Sequence, residues 1–375
     1  MTSYDVLIRG SGIVGQSLAL ALSRLGLAVA LRPDPVRRDA TTDVRAYALG
    51  ATSIELLRSL KVWDALPPNA ATAVHEMHIE GDAHASVLEF SSWEAKVGEL
   101  ACIVDAPVLE RELGAAVRFA PHVTVVNENE KGGDDVPASL TALCEGKTSD
   151  SRERLGVRFE RTDYGHHAIA ARLVASRGHA NTARQWFRSP DILALLPFDT
   201  PQSGSSYALV WSLPNDRVDQ LMALDPPAFE QALMDATGGA AGELHLSSER
   251  AAWSLMGAHA SAVSGPGWVL LGDAAHVVHP LAGQGLNLGL ADVACLARVM
   301  AERESWRAPG DARLLRRYAR ERLAPTWAMA GLTEGLLQLF AHSSPAAREL
   351  RNRGLSLVNH LPPLKRWLTA RALAS

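Results

Sequence analysis

Apolar and polar residues alternate in three different ways along the chain, and each pattern predicts a different kind of element. Near the start, the apolar run at residues 6–8 predicts a buried parallel strand, residues 16–25 a small apolar helix, and residues 28–31 a second strand. Between about residues 164 and 253, apolar runs separated by turn residues predict a mainly antiparallel sheet. After residue 271 the pattern is helical almost to the end. We therefore expect an α/β protein with an inserted sheet and a helical C-terminus.

A glycine motif lies between the first predicted strand and the first predicted helix. It reads Gly10-Ser11-Gly12-Ile13-Val14-Gly15. Gly10 would permit a tight turn, Gly12 would let the backbone approach a pyrophosphate, and Gly15 would let the helix pack on the strand. The helix N-terminus, with its unpaired N–H groups, favours the phosphates. The pattern favours a dinucleotide site over a glycine-rich turn of some other α/β fold.

The end of the second predicted strand reads Leu31-Arg32-Pro33-Asp34. A dinucleotide site of this type usually places an acidic side chain there, on the ribose hydroxyls. Pro33 occupies that place, and Asp34 follows one residue later, as the candidate ribose ligand. Arg32 supports an alternative, because an arginine here can accept the 2′-phosphate of NADP.

A second glycine-rich segment occurs far along the chain. A predicted strand at residues 269–271 precedes Gly272-Asp273, and residues 279–287 precede a predicted helix at 288–300. Asp273, at a strand end, can accept hydrogen bonds from sugar-like hydroxyls. Pro280 and the glycines that follow it would bring bare backbone against a flat ligand. A dehydrogenase with one dinucleotide site has no need for this second element.

These motifs together resemble those of the flavoprotein aromatic hydroxylases with the para-hydroxybenzoate hydroxylase fold, above all their ubiquinone-biosynthesis branch. The resemblance extends over nearly the whole chain; its matches are the Gly10–Gly15 motif and residues 43–49, 194–197, 209–214, 272–287 and 361–365. It implies a Rossmann-like FAD-binding domain with an inserted, mainly antiparallel substrate sheet. Residues 1–71, 95–155 and 262–375 would form the discontinuous FAD-binding domain, and 72–94 and 156–261 the substrate domain.

The resemblance also implies roles for individual residues. Gly10, Gly12 and Gly15 would receive the FAD phosphates, and Asp273 the ribityl or pyrophosphate side. Arg45 would approach the flavin nucleotide; the alternative is a surface ion pair. The residues that would present backbone to the flavin ring are Gly283, Gly285, Leu286 and Asn287. The N-terminus of the helix at 288 would stabilise negative charge near the ring.

The implied activity is that of an FAD-dependent monooxygenase. NAD(P)H would reduce FAD, O2 would form a flavin C4a-hydroperoxide, and a phenolic, polyprenylated ubiquinone precursor would take up the oxygen. No catalytic side chain is assigned. The family usually carries an Asp-Gly motif that contacts flavin phosphate and NAD(P)H, but Glu145-Gly146 stands here, after a short segment at residues 127–137. These departures, with Pro33, predict looser FAD binding than is usual.

Composition excludes other classes of protein. The 375 residues are 47% hydrophobic with a net charge of −4, so global charge gives no case for nucleic acid binding. Three distant cysteines make neither a disulfide framework nor a zinc site, and no metal is expected. Without a secretory signal or a long apolar run, we expect a cytoplasmic protein. The state of assembly is left open, a homodimer included.

The C-terminal stretch is basic. Its cationic residues are Arg348, Arg351, Arg353, Lys365, Arg366 and Arg371, with Glu349 as the acidic residue among them. This pattern is typical of a solvated helical surface, or of a peripheral contact with the inner face of a membrane or with another enzyme of quinone biosynthesis.

Two alternatives for the function belong to other classes. Arg32 would suit an NADP-dependent dehydrogenase, although that leaves residues 272–287 unexplained. Glu145, Pro33 and the short segment before Glu145 would suit a catalytically weakened family member that acts as a scaffold in quinone biosynthesis. A flavin absorbance spectrum distinguishes the monooxygenase from the dehydrogenase, which would be colourless. Substrate-stimulated NAD(P)H oxidation distinguishes the monooxygenase from the scaffold, which would show none.

Overall fold

The structure is a computed structural model that describes residues 4–33, 43–81, 87–126, 136–278 and 284–341. The strands are β1 (Tyr4–Arg9), β2 (Val29–Arg32), β3 (Ala46–Leu49), β4 (Ala71–Val74), β5 (Glu76–Glu80), β6 (Val87–Ser91), β7 (Ala101–Asp105), β8 (Val123–Val125), β9 (Ala138–Leu143), β10 (Phe159–Ala175), β11 (Thr182–Arg188), β12 (Asp191–Phe198), β13 (Ser206–Pro214), β14 (Leu244–Leu246), β15 (Ala251–Ala260), β16 (Ser264–Gly265), β17 (Trp268–Leu270) and β18 (His276–Val277). The α-helices are α1 (Ile13–Ser23), α2 (Ala51–Ser59), α3 (Ser92–Ala95), α4 (Ala106–Arg118), α5 (Asp150–Arg154), α6 (Asn215–Ala223), α7 (Pro226–Thr237), α8 (Gln284–Ala301) and α9 (Ala312–Ala341). Short 3-10 turns lie at Trp63–Ala65 and Gly272–Ala274.

The first sheet has six strands in the order β16-β17-β9-β1-β2-β8. From β17 to β8 neighbouring strands are parallel, whereas β16 and β17 are antiparallel. Val6 and Ile8 of β1 have no exposed surface, as expected for a strand in the middle of a parallel sheet. The predicted strand–helix–strand at the N-terminus is confirmed as β1, α1 and β2.

Helices α1, α4 and α8 supply much of the core of this sheet. Leu18 and Leu22 of α1, and Leu109 and Leu113 of α4, have no exposed surface and belong to one apolar cluster with β1 and α8. Burying each such leucine is worth about 2–3 kcal/mol. Helix α9 joins the same cluster through the fully covered Tyr318, whose hydroxyl donates to Leu270 O at 2.9 Å. This core fixes the carboxyl ends of the parallel strands, where the candidate site lies.

The second sheet has nine strands, in the order β18-β15-β10-β13-β12-β11-β5-β6, with β14 beside β10. Its pairs are antiparallel except the β5–β11 pair. Helices α6 and α7 cover one face, on which Trp186, Trp211 and Phe229 are buried. The opposite face carries the smaller side chains of Ala170, Ala194 and Val210, and its Phe198 belongs to an apolar cluster with the third sheet.

The third sheet is β3-β7-β4, with antiparallel pairs. Val74 and Ile103 of this sheet share an apolar cluster with Phe198 and Leu196 of β12. The three-stranded sheet therefore lies between the parallel sheet and the nine-stranded sheet.

The α/β fold class with an inserted antiparallel sheet is confirmed. The proposed domain boundaries stay a prediction, and one strand differs from them. Residues 72–74, assigned to the substrate domain, belong to β4, which pairs with β7, whereas β5 and β6 join the nine-stranded sheet. Alternation along the chain predicts that a segment is a strand but not which sheet it joins. Within the described residues, no helix has both the length and the apolar character to cross a membrane.

Candidate functional site

The turn after β1 requires glycine for steric reasons. Gly10 has a φ of +103°, and a Cβ there would lie 2.3 Å from the carbonyl oxygen of Cys144. A Cβ on Gly15 would lie 1.9 Å from the carbonyl oxygen of Gly10. Backbone bonds close the same corner: Gly10 N donates to Arg32 O at 2.9 Å, and Cys144 N to Arg9 O at 2.7 Å. The ends of β1, β2 and β9 and the start of α1 thus form one closely packed corner around the Gly10 turn.

Gly12 differs from its two neighbouring glycines. A Cβ on Gly12 would meet no atom within 4 Å, so the space in front of it is open. Gly12 is also the N-cap of α1, in extended conformation, and no side chain caps the first turn. The first N–H groups of α1 have no carbonyl partner within the helix. An anionic group in the open space would satisfy them.

The distant Asp273 loop lies directly against this corner. Gly272 has a φ of +58°, and a Cβ there would lie 3.2 Å from Val14 Cγ2 of α1. A Cβ on Gly289 of α8 would lie 2.8 Å from the same methyl group and 3.3 Å from Gly272 Cα. Asp273 is exposed, whereas Gly272 and Ala274 on either side are buried. The structure therefore brings the two glycine-bearing segments together, with the Asp273 side chain on the open side.

The first turn of α8 completes this region. Gly285 has open space at its Cα, with only Val278 Cγ2 at 4.0 Å from an added Cβ. Leu286 is buried. Asn287 is buried too, and its side chain accepts from Gly50 N at 3.0 Å and Ser53 Oγ at 2.7 Å and donates to Ala48 O at 2.8 Å. Asn287 thus ties α8 to the β3–α2 corner, a side-chain role that the sequence did not reveal.

Arg45 is already engaged by acidic side chains. Its guanidinium donates to Asp43 carboxylate oxygens at 2.8 and 2.9 Å, to Tyr47 Oη at 2.9 Å and to Glu110 at 3.3 Å. Burial would lower the pKa of Arg45, but the bond to Asp43 and the charges of Asp43, Tyr47 and Glu110 together outweigh burial and raise the pKa. The structure thus shows Arg45 in ion pairs with Asp43 and Glu110, as the alternative for this residue predicts. Contact of Arg45 with the flavin nucleotide stays a prediction.

Glu145 is held at the carboxyl end of β9. Its carboxylate accepts from Arg9 Nε at 2.9 Å, Ser149 Oγ at 2.5 Å and Ser151 Oγ at 2.7 Å. Burial acts to raise the pKa of Glu145, but the bonds from Ser149, Ser151 and Arg9 together lower it below its ordinary range. The longer side chain therefore has a full set of partners beside the Gly10 turn. Looser FAD binding stays a prediction.

Two buried charged residues near the Asp273 loop were not among the sequence candidates. Asp292 of α8 is 1% exposed and accepts from Gly272 N and from His276. Arg152 of α5 has no exposed surface and donates to Ala274 O. One signal was available for Asp292, because it lies four residues from both Leu288 and Leu296, on the apolar stripe of α8. The sequence carried no such signal for Arg152.

Three candidate residues lie outside the described residues: Asp34, Pro280 and Gly283. The same holds for residues 127–135 before Glu145 and for the basic stretch from Arg348 to Arg371. Among the described residues, no group of three or more His, Cys, Asp or Glu side chains could hold a metal ion.

Gly10, Gly12 and Asp273 all lie within a long segment of the chain that matches a known family. Residues 3–333 match the model of the FAD binding domain family. The chain belongs to this family. FAD fits the residues present, because the uncapped α1 N-terminus faces open space that a Cβ at Gly12 would fill. The resemblance stated from the motifs is confirmed, and the protein is an FAD-dependent monooxygenase.

Relatives match over nearly the whole chain. The 3-demethoxyubiquinol 3-hydroxylase of Escherichia coli K12 is 31% identical, over 98% of this chain and 98% of its own length. The ubiquinone hydroxylase UbiL of Rhodospirillum rubrum is 30% identical, over 99% of this chain and 90% of its own. The crystal structure of PqsL, a probable FAD-dependent monooxygenase from Pseudomonas aeruginosa, superposes with a TM-score of 0.76 at 21% identity, covering 95% of this chain and all of that one. FAD as the cofactor argues against the NADP-dependent dehydrogenase.

Proposed function

We propose that this monooxygenase hydroxylates the ring of a phenolic, polyprenylated ubiquinone precursor, with NAD(P)H as the electron donor and O2 as the oxygen source. The observation that carries the proposal is the shared corner of the Gly10 turn and the Asp273 loop, beside an apolar sheet face. The relatives named for ubiquinone hydroxylation support this class of substrate.

The apolar sheet face suits a flat ring. In register, Ala170 of β10 lies beside Val210 of β13, which lies beside Ala194 of β12. Val210 and Ala194 are half-buried, so this part of the face is not filled by its own neighbours. Ala168 and Ser212 continue the row of small residues on one side. Small side chains leave room for a ring, and their apolar surface favours a water-poor site.

This face is turned towards the cofactor side of the molecule. Arg172, two residues along β10 from Ala170 and on the same face, donates to Arg45 O at 2.8 Å. Leu196, on this face of β12, packs against the same apolar cluster as Ala46 and Ala48 of β3. A ring lying on Ala170 and Val210 would therefore face β3, which contains Tyr47 and directly follows Arg45.

The side chains and backbone of this chain supply position and exclusion of water. The α1 N-terminus at Gly12 would hold the FAD phosphates, and Asp273 would accept a hydroxyl of the ribityl or ribose group. The open backbone at Gly285 would lie against the flavin ring. When bound, FAD supplies the electron transfer and the activation of oxygen. The apolar sheet face would hold the phenolic ring in position to react with the oxygen that FAD activates.

The test uses the FAD-loaded protein with a short-chain demethoxyubiquinol under 18O2. We expect the substrate to stimulate NAD(P)H oxidation and the product to carry the isotope. Val210→Trp, which would fill the space on the apolar sheet face, should abolish product formation while leaving FAD bound. Its matched control is Val218→Leu, a conservative change on α6 against the other face of the sheet. Neither stimulated oxidation nor labelled product from the flavin-loaded protein would contradict the proposal and favour the scaffold alternative.

We also propose that the basic stretch from Arg348 to Arg371 makes a peripheral contact with anionic lipid. A membrane-held polyprenylated substrate would favour such a contact. We expect weak, salt-sensitive sedimentation with anionic liposomes that is lost on truncation after Ser356. Equal sedimentation of full-length and truncated protein would refute this contact.

A further inference from the structure

The short Asp273 loop is held by buried charged groups on both sides. Gly272–Ala274 forms a single 3-10 turn, between β17 and β18. A turn of this length has little hydrogen bonding of its own to define its geometry. Gly272 N and Ala274 O, its first donor and its last acceptor, are instead bonded to side chains from distant helices.

Asp292 holds the first side of the loop. Its Oδ2 accepts from Gly272 N at 2.9 Å and from His276 Nε2 at 2.8 Å, and its Oδ1 accepts from Arg322 Nε at 2.5 Å. Burial would raise the pKa of Asp292, but His276 and Arg322 outweigh it and lower the pKa, so the carboxylate stays charged. One buried carboxylate thus joins the loop to α8, β18 and α9.

Arg152 holds the other side. Its two terminal nitrogens donate to Ala274 O at 3.0 Å and to Lys147 O at 3.1 Å, and its guanidinium stacks on Phe159 at 3.6 Å. No carboxylate among the described residues lies within ion-pair distance of it. A cation without surface exposure and without an ion-pair partner is costly, so its place is explained by the two carbonyls that it joins. Lys147 follows Glu145-Gly146, so Arg152 links the Asp273 loop to the segment beside the Gly10 turn.

We propose that Asp292 and Arg152 are positioning residues that fix the backbone of the Asp273 loop, so that the exposed Asp273 carboxylate stands ready for FAD. Neither side chain would touch the cofactor; both act through the loop. The proposal rests on the proposed role of Asp273 and is independent of the proposed substrate.

The experiment measures FAD binding to apoprotein by quenching of flavin fluorescence, with the visible spectrum of the bound flavin as a second readout. Asp292→Asn keeps the shape of the side chain but replaces one accepting oxygen with an amide N–H group, which cannot accept the hydrogen bonds that Asp292 receives. We expect FAD to bind about tenfold more weakly, with a shifted flavin spectrum. Glu321→Gln is the matched control, because Glu321 also joins α9 to α8, through Arg298, but on the exposed side. It should leave FAD binding within about twofold.

Arg152→Lys keeps the charge but loses the planar fork that reaches two carbonyls. FAD binding should again weaken by about tenfold. Arg161→Lys is its control, since Arg161 stacks on the same Phe159 ring at 5.7 Å and is exposed. If Asp292→Asn does not fold, the Arg152 and Arg161 pair decides the question.

A double-mutant cycle separates positioning from general stability. In an Asp273→Ala background, Asp292→Asn should weaken FAD binding by less than about twofold, because the group that it positions is gone. Urea unfolding of each apoprotein shows whether a variant has simply lost stability. Equal FAD affinity for Asp292→Asn and Glu321→Gln, or an undiminished effect without Asp273, would overturn the proposal. Absence of hydroxylation by the FAD-loaded wild-type protein, with FAD binding intact, would count against the proposed substrate instead.

Discussion

The Gly10 turn and the Asp273 loop lie side by side, yet they are held in different ways. The Gly10 turn is defined by its backbone, with added Cβ atoms at Gly10 and Gly15 falling 2.3 and 1.9 Å from carbonyl oxygens. The Asp273 loop is defined by the side chains of Asp292 and Arg152, from other parts of the chain. The first arrangement is sensitive to an atom added at Gly10 or Gly15, and the second to a change in the hydrogen bonds that Asp292 and Arg152 make.

Gly15→Ala tests the backbone-defined region most strongly. Its Cβ would fall on the carbonyl oxygen of Gly10, and neither atom belongs to a flexible side chain. We expect a loss of about 3 kcal/mol in the free energy of unfolding, since the helix must move off the turn. Urea unfolding of the apoprotein measures it. A loss below about 1 kcal/mol would mean that the corner is not rigid.

Gly12→Ala should separate cofactor binding from stability in the same turn. No atom lies within 4 Å of the added Cβ, so folding should cost less than about 1 kcal/mol, the range for an altered helix N-cap. FAD binding should weaken by about tenfold, because the methyl group enters the space of the phosphate. Fluorescence titration with FAD tests this. Unchanged affinity would place the phosphates elsewhere.

Glu145→Gln tests whether charge also stabilises the backbone-defined side. Losing the charged bond from Arg9 should cost about 1 kcal/mol at pH 7. The pKa of Glu145 is lowered on folding, so this difference should persist above about pH 4.3 and vanish as the pH falls through the folded pKa. Glu112→Gln, in an exposed pair with Arg111, is the control and should cost less than about 0.5 kcal/mol. Equal costs would show that the Glu145 cluster is no stronger than a surface pair.

Local chemistry explains what the sequence could predict. The strand, the glycine turn and the helix that begin the chain are contiguous. The requirement at Gly15 arises from Gly10 O, five residues away, and Gly10 has a positive φ of +103°, although Cys144 O, far along the chain, also excludes a Cβ there. Asp273 was found for the same reason, because it follows a strand directly. The α/β class followed from the change of periodicity near residue 164.

Long-range contacts explain what the sequence could not predict. Arg152 and Ala274 are separated by 122 positions, and nothing near Arg152 indicates a buried cation. Tyr47 lies within residues 43–49, a segment that carries the family resemblance, but its bond to Arg45 depends on the conformation of both side chains. Asp292 lies on the buried stripe of α8, so an acid at a core position was the one visible signal. Sheet membership of β4 likewise depends on pairing across the chain.

An effect of similar size, confined to low pH, concerns the pH response of the charge-defined loop. Burial would lower the pKa of His276, but Asp292 outweighs it and raises the pKa, with Asp273 adding to this and Arg322 opposing it. A raised histidine pKa contributes stability that is complete below about pH 6.5 and is lost as the pH rises through the folded pKa. His276→Gln keeps a hydrogen-bond donor but no titrating charge.

The free energy of unfolding of the wild type should therefore exceed that of His276→Gln by about 1 kcal/mol near pH 5.5. This difference should shrink as the pH rises past the folded pKa of His276. The pH range stays above about 5, so that Asp292, whose pKa is lowered, remains charged throughout. Urea unfolding of both apoproteins across this range gives the difference. A difference that grows with pH would mean that His276 is neutral in the folded protein, and that Arg322 alone balances the carboxylate behind the Asp273 loop.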